Sequence, residues 1–153
     1  MGSIIQFALV TEAVFNVLGA LLFIVFPQSC LSHAVSSSSP IPGCAALLCQ
    51  VFGAIVLSLS VPLLLCVPES NAVYEKRRIV YKTMAAGEIA FIILFLRASQ
   101  DYVETGFTPE FLTKSVMAFA PALAWHSYAV FINPAIMRTV GVAASRIDTK
   151  KVQ

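Results

Sequence analysis

The chain has 153 residues, of which 58% are hydrophobic and only 12% are charged, and its mean hydropathy is +0.84. An ordinary soluble domain carries about 25% charged residues, so this composition excludes a soluble globular fold. The formal net charge of +2 is no evidence for a nucleic-acid partner, because the basic residues are distributed as topology markers. We therefore expect a lipid bilayer as the surroundings and no nucleic acid as a partner.

Four apolar segments predict four membrane-spanning helices. Between Ala13 and Val67 the chain contains no Asp, Glu, Lys or Arg, a run long enough for two bilayer crossings at about 20 residues each. Prolines, glycines and charged residues divide the apolar sequence into spans at about 4–26, 44–67, 80–96 and 113–137. Because backbone amides in lipid must be satisfied within a segment, these spans are helices and not strands. The prediction is an all-α, four-helix transmembrane domain over residues 1–138, followed by a basic tail over 139–153.

The basic residues orient the predicted bundle. Lys and Arg beside short loops favour the cytosolic side of a membrane, and with four spans both termini and the second loop share one side. That side carries Lys76, Arg77, Arg78, Lys82, Arg138, Arg146, Lys150 and Lys151. We therefore expect cytosolic termini and a solvated basic edge. The third span is the shortest, which weakly favours the thinner bilayer of the endoplasmic reticulum.

The cysteines and histidines do not form a metal-binding pattern. Cys44 and Cys49 are separated by four residues, so there is no C-x-x-C motif, and we expect neither His33 nor His126 to pair with a cysteine at a metal. We predict no metal. Cys30 and Cys44 both fall near the non-cytosolic end of the bundle, where an oxidising compartment would allow a disulfide between them. The sequence leaves that pairing open.

Glu12 and Glu88 lie inside predicted spans, where acidic residues are rare and usually mark a functional site. With a rise of about 1.5 Å per residue, Glu12 is roughly 12 Å from the cytosolic edge and Glu88 about 9 to 12 Å. His126 descends from the opposite side to about 12 to 18 Å from the same edge. The three side chains are therefore predicted to share one layer, as candidate catalytic acid and base groups. Alternatively, they only hold the helices together, by contacts of about 0.6 kcal/mol each.

Other polar residues are candidates for binding a substrate. Asn16 follows Glu12 by four residues and Tyr81 precedes Glu88 by seven, so each pair shares one helix face. Trp125 is interpreted either as an interfacial anchor or as a pocket-lining residue. The remaining candidates are Gln50, nearer the opposite end, and Asn133, seven residues after His126.

Three classes of function fit these residues. The first is an enzyme that isomerises or cyclises a lipophilic small molecule, sterol-like or terpenoid-like, with no cofactor, because the sequence has no phosphate-binding loop or dinucleotide fingerprint. The layout resembles that of four-helix sterol isomerases of the emopamil-binding type and of larger fungal membrane terpene cyclases, with no residue roles carried over. The second is a dimeric proton-coupled transporter, similar to the small multidrug-resistance family in having a glutamate in its first helix, here in Thr11-Glu12-Ala13. The third is a scaffold or accessory subunit bound to a partner membrane protein.

Overall fold

Helices make up the computed structural model, which describes residues 4–36, 41–70 and 72–138 and contains no β-strand in those ranges. The helices are α1 (Ile4–Val25), α2 (Pro27–Ala34), α3 (Gly43–Leu65), α4 (Val73–Gln100), α5 (Tyr102–Thr105) and α6 (Pro109–Ser127). A π-helical segment (Tyr128–Ile132) and a 3-10 turn (Pro134–Met137) continue the fourth span. Four of these helices are long and apolar enough to cross a membrane. The prediction of an all-α, four-helix membrane bundle is therefore confirmed.

The four long helices form two hairpins. In the first hairpin α1 packs against α3, and in the second α4 packs against α6. Gly53 makes the first pairing possible, because a Cβ at this position would lie 2.9 Å from the carbonyl oxygen of Ala20 and from side-chain atoms of Phe23 and Ile24. Only glycine lets the two backbones approach so closely.

The two hairpins are joined at both ends and in the middle. At the end of the bundle where α1 begins, Gln6 Nε2 donates to the Val67 carbonyl at 3.0 Å. We call this the basic end, since it carries Lys76, Arg77, Arg78, Lys82 and Arg138. At the opposite end an antiparallel bridge pairs Val35 with Phe107. Between the ends, the rings of Phe52 on α3 and Phe91 on α4 meet edge to face with centroids 5.7 Å apart.

Large apolar side chains cover the outside of the bundle. Phe7, Phe15 and Phe131 are exposed by 76%, 70% and 71%. A soluble protein rarely presents contiguous apolar surface of this kind, so these faces fit the hydrocarbon of a bilayer.

Two elements differ from the sequence prediction. The helix that contains the third span covers Val73–Gln100 and, at 28 residues, is the longest of the four. The first loop contains the short helix α2, which begins at Pro27 because proline suits the first helical position. The predicted tail, 139–153, lies outside the described residues.

The cysteines are free thiols in this structure. Cys30 donates its Sγ hydrogen to the Leu22 carbonyl at 3.6 Å, and Cys44 is exposed at the start of α3. The structure therefore has no bridge between Cys30 and Cys44.

Candidate active site

Glu12, Glu88 and His126 come together from three helices. His126 Nδ1 lies 2.8 Å from Glu88 Oε2, and His126 Nε2 lies 3.2 Å from Glu12 Oε2. One imidazole thus joins two carboxyl groups, with Glu12 from the first hairpin and the other two residues from the second. The predicted layer of three ionisable side chains corresponds to these two contacts.

Tyr81 and Trp125 extend this chain of contacts on the Glu12 side. An indole nitrogen can only donate, so Trp125 Nε1 donates to Tyr81 Oη at 3.2 Å. The Tyr81 hydroxyl hydrogen is then available for Glu12 Oε1, at 3.3 Å. The Tyr81 ring also packs edge to face against the imidazole of His126, with centroids 4.6 Å apart. We call Glu12, Tyr81, Glu88, Trp125 and His126 the Glu12 cluster.

The central contacts can hold their protons in more than one way. With one proton in each contact, the imidazole is either an imidazolium between two carboxylates or a neutral ring beside one carboxylic acid and one carboxylate. These arrangements contain the same number of protons and differ only in the atoms that carry them. A proton taken up at Glu12 can appear at Glu88 by transfer through His126.

Glu12 is the most exposed of the three central residues. The exposed fraction of the side chain is 22% for Glu12, 7% for Glu88 and 1% for His126. Glu12 lies at the edge of the buried face of α1, whose other members are fully or almost fully buried: Ile5, Leu9, Ala13 and Ala20. A molecule approaching from outside the bundle would therefore meet Glu12 before the other two.

Irregular backbone surrounds His126 on α6. Pro121, five residues earlier, lies inside the helix and cannot donate a backbone hydrogen bond. Two residues after His126 the helix widens into the π-helical segment, a form that often occurs near functional sites. The histidine is thus presented by a short regular stretch between two departures from α-helical geometry.

Asn16 follows Glu12 by one helical turn on α1. Its Nδ2 atom is buried, and it has no hydrogen-bond partner among the described residues. The side chain belongs to the same buried face of α1 as Leu9 and Ala20, because these positions lie within about 40° of one another at 100° per residue.

Gln50 and Asn133 lie away from the Glu12 cluster. Gln50 Nε2 donates to the Ile24 carbonyl at 2.9 Å and lines an open groove of about 500 Å³ beside α2, at the end opposite the basic end. Asn133 Nδ2 donates to Tyr128 Oη at 3.2 Å, beyond the π-helical segment. Of the eight candidate residues, the structure brings five into the Glu12 cluster, puts Asn16 one turn away and leaves these two apart.

Arg77 forms a second buried polar site that the sequence did not reveal. Its Nε donates to the Cys66 carbonyl at 2.9 Å, Nη1 to the Met137 carbonyl at 3.0 Å and Nη2 to the Val67 carbonyl at 3.2 Å. The residue is 0% exposed. The expectation of a solvated basic edge is therefore wrong for Arg77, because the ends of two other chain segments supply acceptors in place of water.

Comparison with protein families, with curated proteins and with solved structures yields no match to this chain. The geometry of the Glu12 cluster has three main features, which are the imidazole shared by Glu12 and Glu88, the hydrogen bonds from Trp125 through Tyr81 to Glu12, and the partial exposure of Glu12.

Proposed function

We propose that this chain is a membrane enzyme that isomerises or cyclises a lipophilic small molecule by acid and base chemistry, without a soluble cofactor. The observation that carries the proposal is the chain of contacts from Glu12 through His126 to Glu88. Glu12, at one end of this chain, is partly exposed, while Glu88 at the other end is buried. General acid–base catalysis needs a group that can give a proton in one step and take one in another. Two carboxyl groups on one imidazole meet that need.

Glu12 is the group that contacts the substrate in this proposal, because it is the exposed member. As a carboxylic acid it protonates one carbon of a double bond, and as a carboxylate it removes a proton from another carbon after rearrangement or ring closure. The substrate keeps its formula, and the proton count of the site is restored. His126, which Glu88 holds through Nδ1, keeps its contact with Glu12 between the two steps.

Tyr81 and Trp125 position Glu12 for this chemistry. The Tyr81 hydroxyl donates to Glu12 Oε1 and so holds the carboxyl group in one orientation. The indole of Trp125 fixes the direction in which that hydroxyl donates. In this proposal Trp125 is therefore a residue of the site and not an interfacial anchor.

The test compares product formation by the wild type and by three variants. Each is expressed in a host that makes candidate sterol and terpenoid precursors, and lipid extracts are profiled by mass spectrometry for products of unchanged mass. We expect Glu12→Gln and Glu88→Gln to reduce product by about 100-fold or more. Glu110→Gln is the matched control, since Glu110 is exposed and pairs only with Lys114 on the surface.

Other results would assign a different function. If the Glu12→Gln and Glu88→Gln variants, at wild-type levels in the membrane, leave the lipid profile unchanged, the enzyme proposal fails. Loss of proton-coupled flux in reconstituted vesicles would then assign a transporter. Loss of a co-purifying membrane protein would assign a scaffold.

A further inference from the structure

We propose that Asn16 is a specificity-determining residue, and that the molecule bound beside Glu12 carries an oxygen atom that accepts a hydrogen bond from Asn16 Nδ2. The inference deepens the proposed function and rests on it, because it names the substrate class of the same site. The substrate is then an oxygenated lipid, an alcohol, ketone or aldehyde, and not a plain hydrocarbon.

The first support is the state of the Asn16 amide. Its Nδ2 is buried and has no partner among the described residues. A buried donor without an acceptor destabilises the fold, so natural proteins rarely keep one without a reason. An acceptor oxygen on a bound molecule would remove that cost.

Gln50 gives a useful contrast on α3. It is also an amide inside a predicted span, but its Nε2 donates to the Ile24 carbonyl, where α1 ends. The Gln50 donor is satisfied within the protein, so a role in holding the fold accounts for this amide. The Nδ2 donor of Asn16 has no such partner among the described residues.

The second support is the position of Asn16 relative to Glu12. The two residues are one turn apart on α1, so their side chains are separated by about 6 Å along the helix axis. Glu12 is turned toward the second hairpin, where it meets Tyr81 and His126. A molecule lying along α1 would place its reacting carbon at Glu12 and its oxygen about 6 Å further from the basic end.

This arrangement discriminates by leaving a polar group unpaired when the wrong molecule binds. A site that hydrogen-bonds a substrate oxygen rejects the analogue that lacks it, because the buried partner then stays unsatisfied. An alcohol can form a hydrogen bond with the Asn16 amide whichever way the amide is turned, because a hydroxyl both donates and accepts. We therefore expect alcohols to bind more tightly than hydrocarbons of the same skeleton.

Trp125 is the only tryptophan in the chain, and it lies within the Glu12 cluster, so its fluorescence reports binding there. The full-length protein in detergent is titrated with two matched pairs, farnesol against farnesene and cholesterol against 5-cholestene. We expect at least one alcohol to bind the wild type about tenfold more tightly than its hydrocarbon. Asn16→Leu should reduce this ratio to about one, and Asn16→Ala is the second variant if Asn16→Leu does not fold.

Gln50→Leu is the matched control and should keep the wild-type preference. Equal binding of alcohol and hydrocarbon by the wild type in both pairs, or an unchanged preference in the Asn16 variant that folds, would overturn the inference. Glu12→Gln tests the Asn16 inference separately from the proposed function, because this variant should keep the preference for the alcohol and lose product formation. If Glu12→Gln still makes product and the Asn16 variant loses the preference, the proposed function fails and the binding role of Asn16 stands.

Discussion

Arg77 and the Glu12 cluster are both buried polar sites between the two hairpins, but they differ in the chemistry of their partners. Arg77 donates to three main-chain carbonyls. In the Glu12 cluster every hydrogen bond joins two side chains, and three of the five residues are glutamate or histidine. The charge of Arg77 is fixed, and its carbonyl acceptors take up no proton. In the Glu12 cluster, protons can move between the carboxyl groups and the imidazole.

Arg77 and the Glu12 cluster differ in whether their protons can move. A guanidinium stays protonated in proteins, so Arg77 can only tie together the end of α3, the start of α4 and the 3-10 turn after the fourth span. Carboxyl and imidazole groups exchange protons readily. Burial of an ionisable residue in a membrane helix is therefore not sufficient to indicate catalysis, and the nature of its partners decides.

The largest expected effect is on stability, from removing Arg77. Arg77→Met removes the Arg77 donors from three carbonyls, of which that of Val67 keeps a second donor in Gln6, and we expect a loss of about 3 kcal/mol in the free energy of unfolding. Arg77→Lys should recover only part of it, because an ammonium cannot match the planar set of donors. Unfolding in detergent with increasing dodecyl sulfate measures both variants.

Lys76→Met is the control for that prediction. Lys76 immediately precedes Arg77 on α4 and is exposed, so the same loss of charge should change stability by no more than about 0.5 kcal/mol. Equal destabilisation by Lys76→Met and Arg77→Met would mean that net charge at the basic end matters, and not the three carbonyl contacts.

The next effect is the coupling within the Glu12 cluster. A double-mutant cycle of Glu88→Gln with His126→Gln should give a coupling free energy of about 1 to 2 kcal/mol in the same unfolding assay. The cycle of Glu12→Gln with His126→Gln should give a smaller value, because that contact is longer and Glu12 is more exposed. A larger coupling for Glu12 than for Glu88 would contradict the described burial order.

A smaller effect is expected from Tyr81→Phe, and it should appear in the rate of product formation. The variant keeps the ring that packs on His126 and removes the hydroxyl that donates to Glu12. We expect the rate to fall about tenfold, corresponding to one hydrogen bond of about 1.4 kcal/mol to a charged group. An unchanged rate in Tyr81→Phe would show that the Tyr81 hydroxyl has no part in the chemistry at Glu12.

The smallest effect is expected from Trp125→Phe. Its indole acts on Glu12 only through Tyr81, so we expect a loss of rate of about threefold. The double variant that combines Tyr81→Phe with Trp125→Phe should therefore form product no more slowly than Tyr81→Phe alone. Additive losses would show that Trp125 acts on the substrate directly.

Helix geometry explains which part of the site could be predicted from the sequence. A constant rise of about 1.5 Å per residue turns sequence position into depth, and depth alone is enough to put Glu12, Glu88 and His126 in one layer. The spacing of seven residues between Tyr81 and Glu88 likewise puts both on one face of α4. Both inferences need only the spans and their direction.

Features that depend on tertiary contact could not be predicted. Arg77 looks like its exposed neighbours in the sequence, because its burial depends on carbonyls from the end of α3 and from Met137, far along the chain. The 28-residue length of α4 was missed because its first turns are charged and outside the apolar run. Asn133 shares a helical phase with His126 in the sequence, but the π-helical segment and the break after it change that phase.

The nuclear magnetic resonance of the His126 nitrogens tests most directly whether protons are shared along the Glu12 cluster. The chain has two histidines, and replacing the exposed His33 by Asn leaves His126 as the only signal in protein labelled with ¹⁵N-histidine. We expect both ring nitrogens to be hydrogen-bonded, Glu88→Gln to shift the Nδ1 signal most and Glu12→Gln to shift the Nε2 signal most. An imidazole spectrum that neither substitution alters would contradict it.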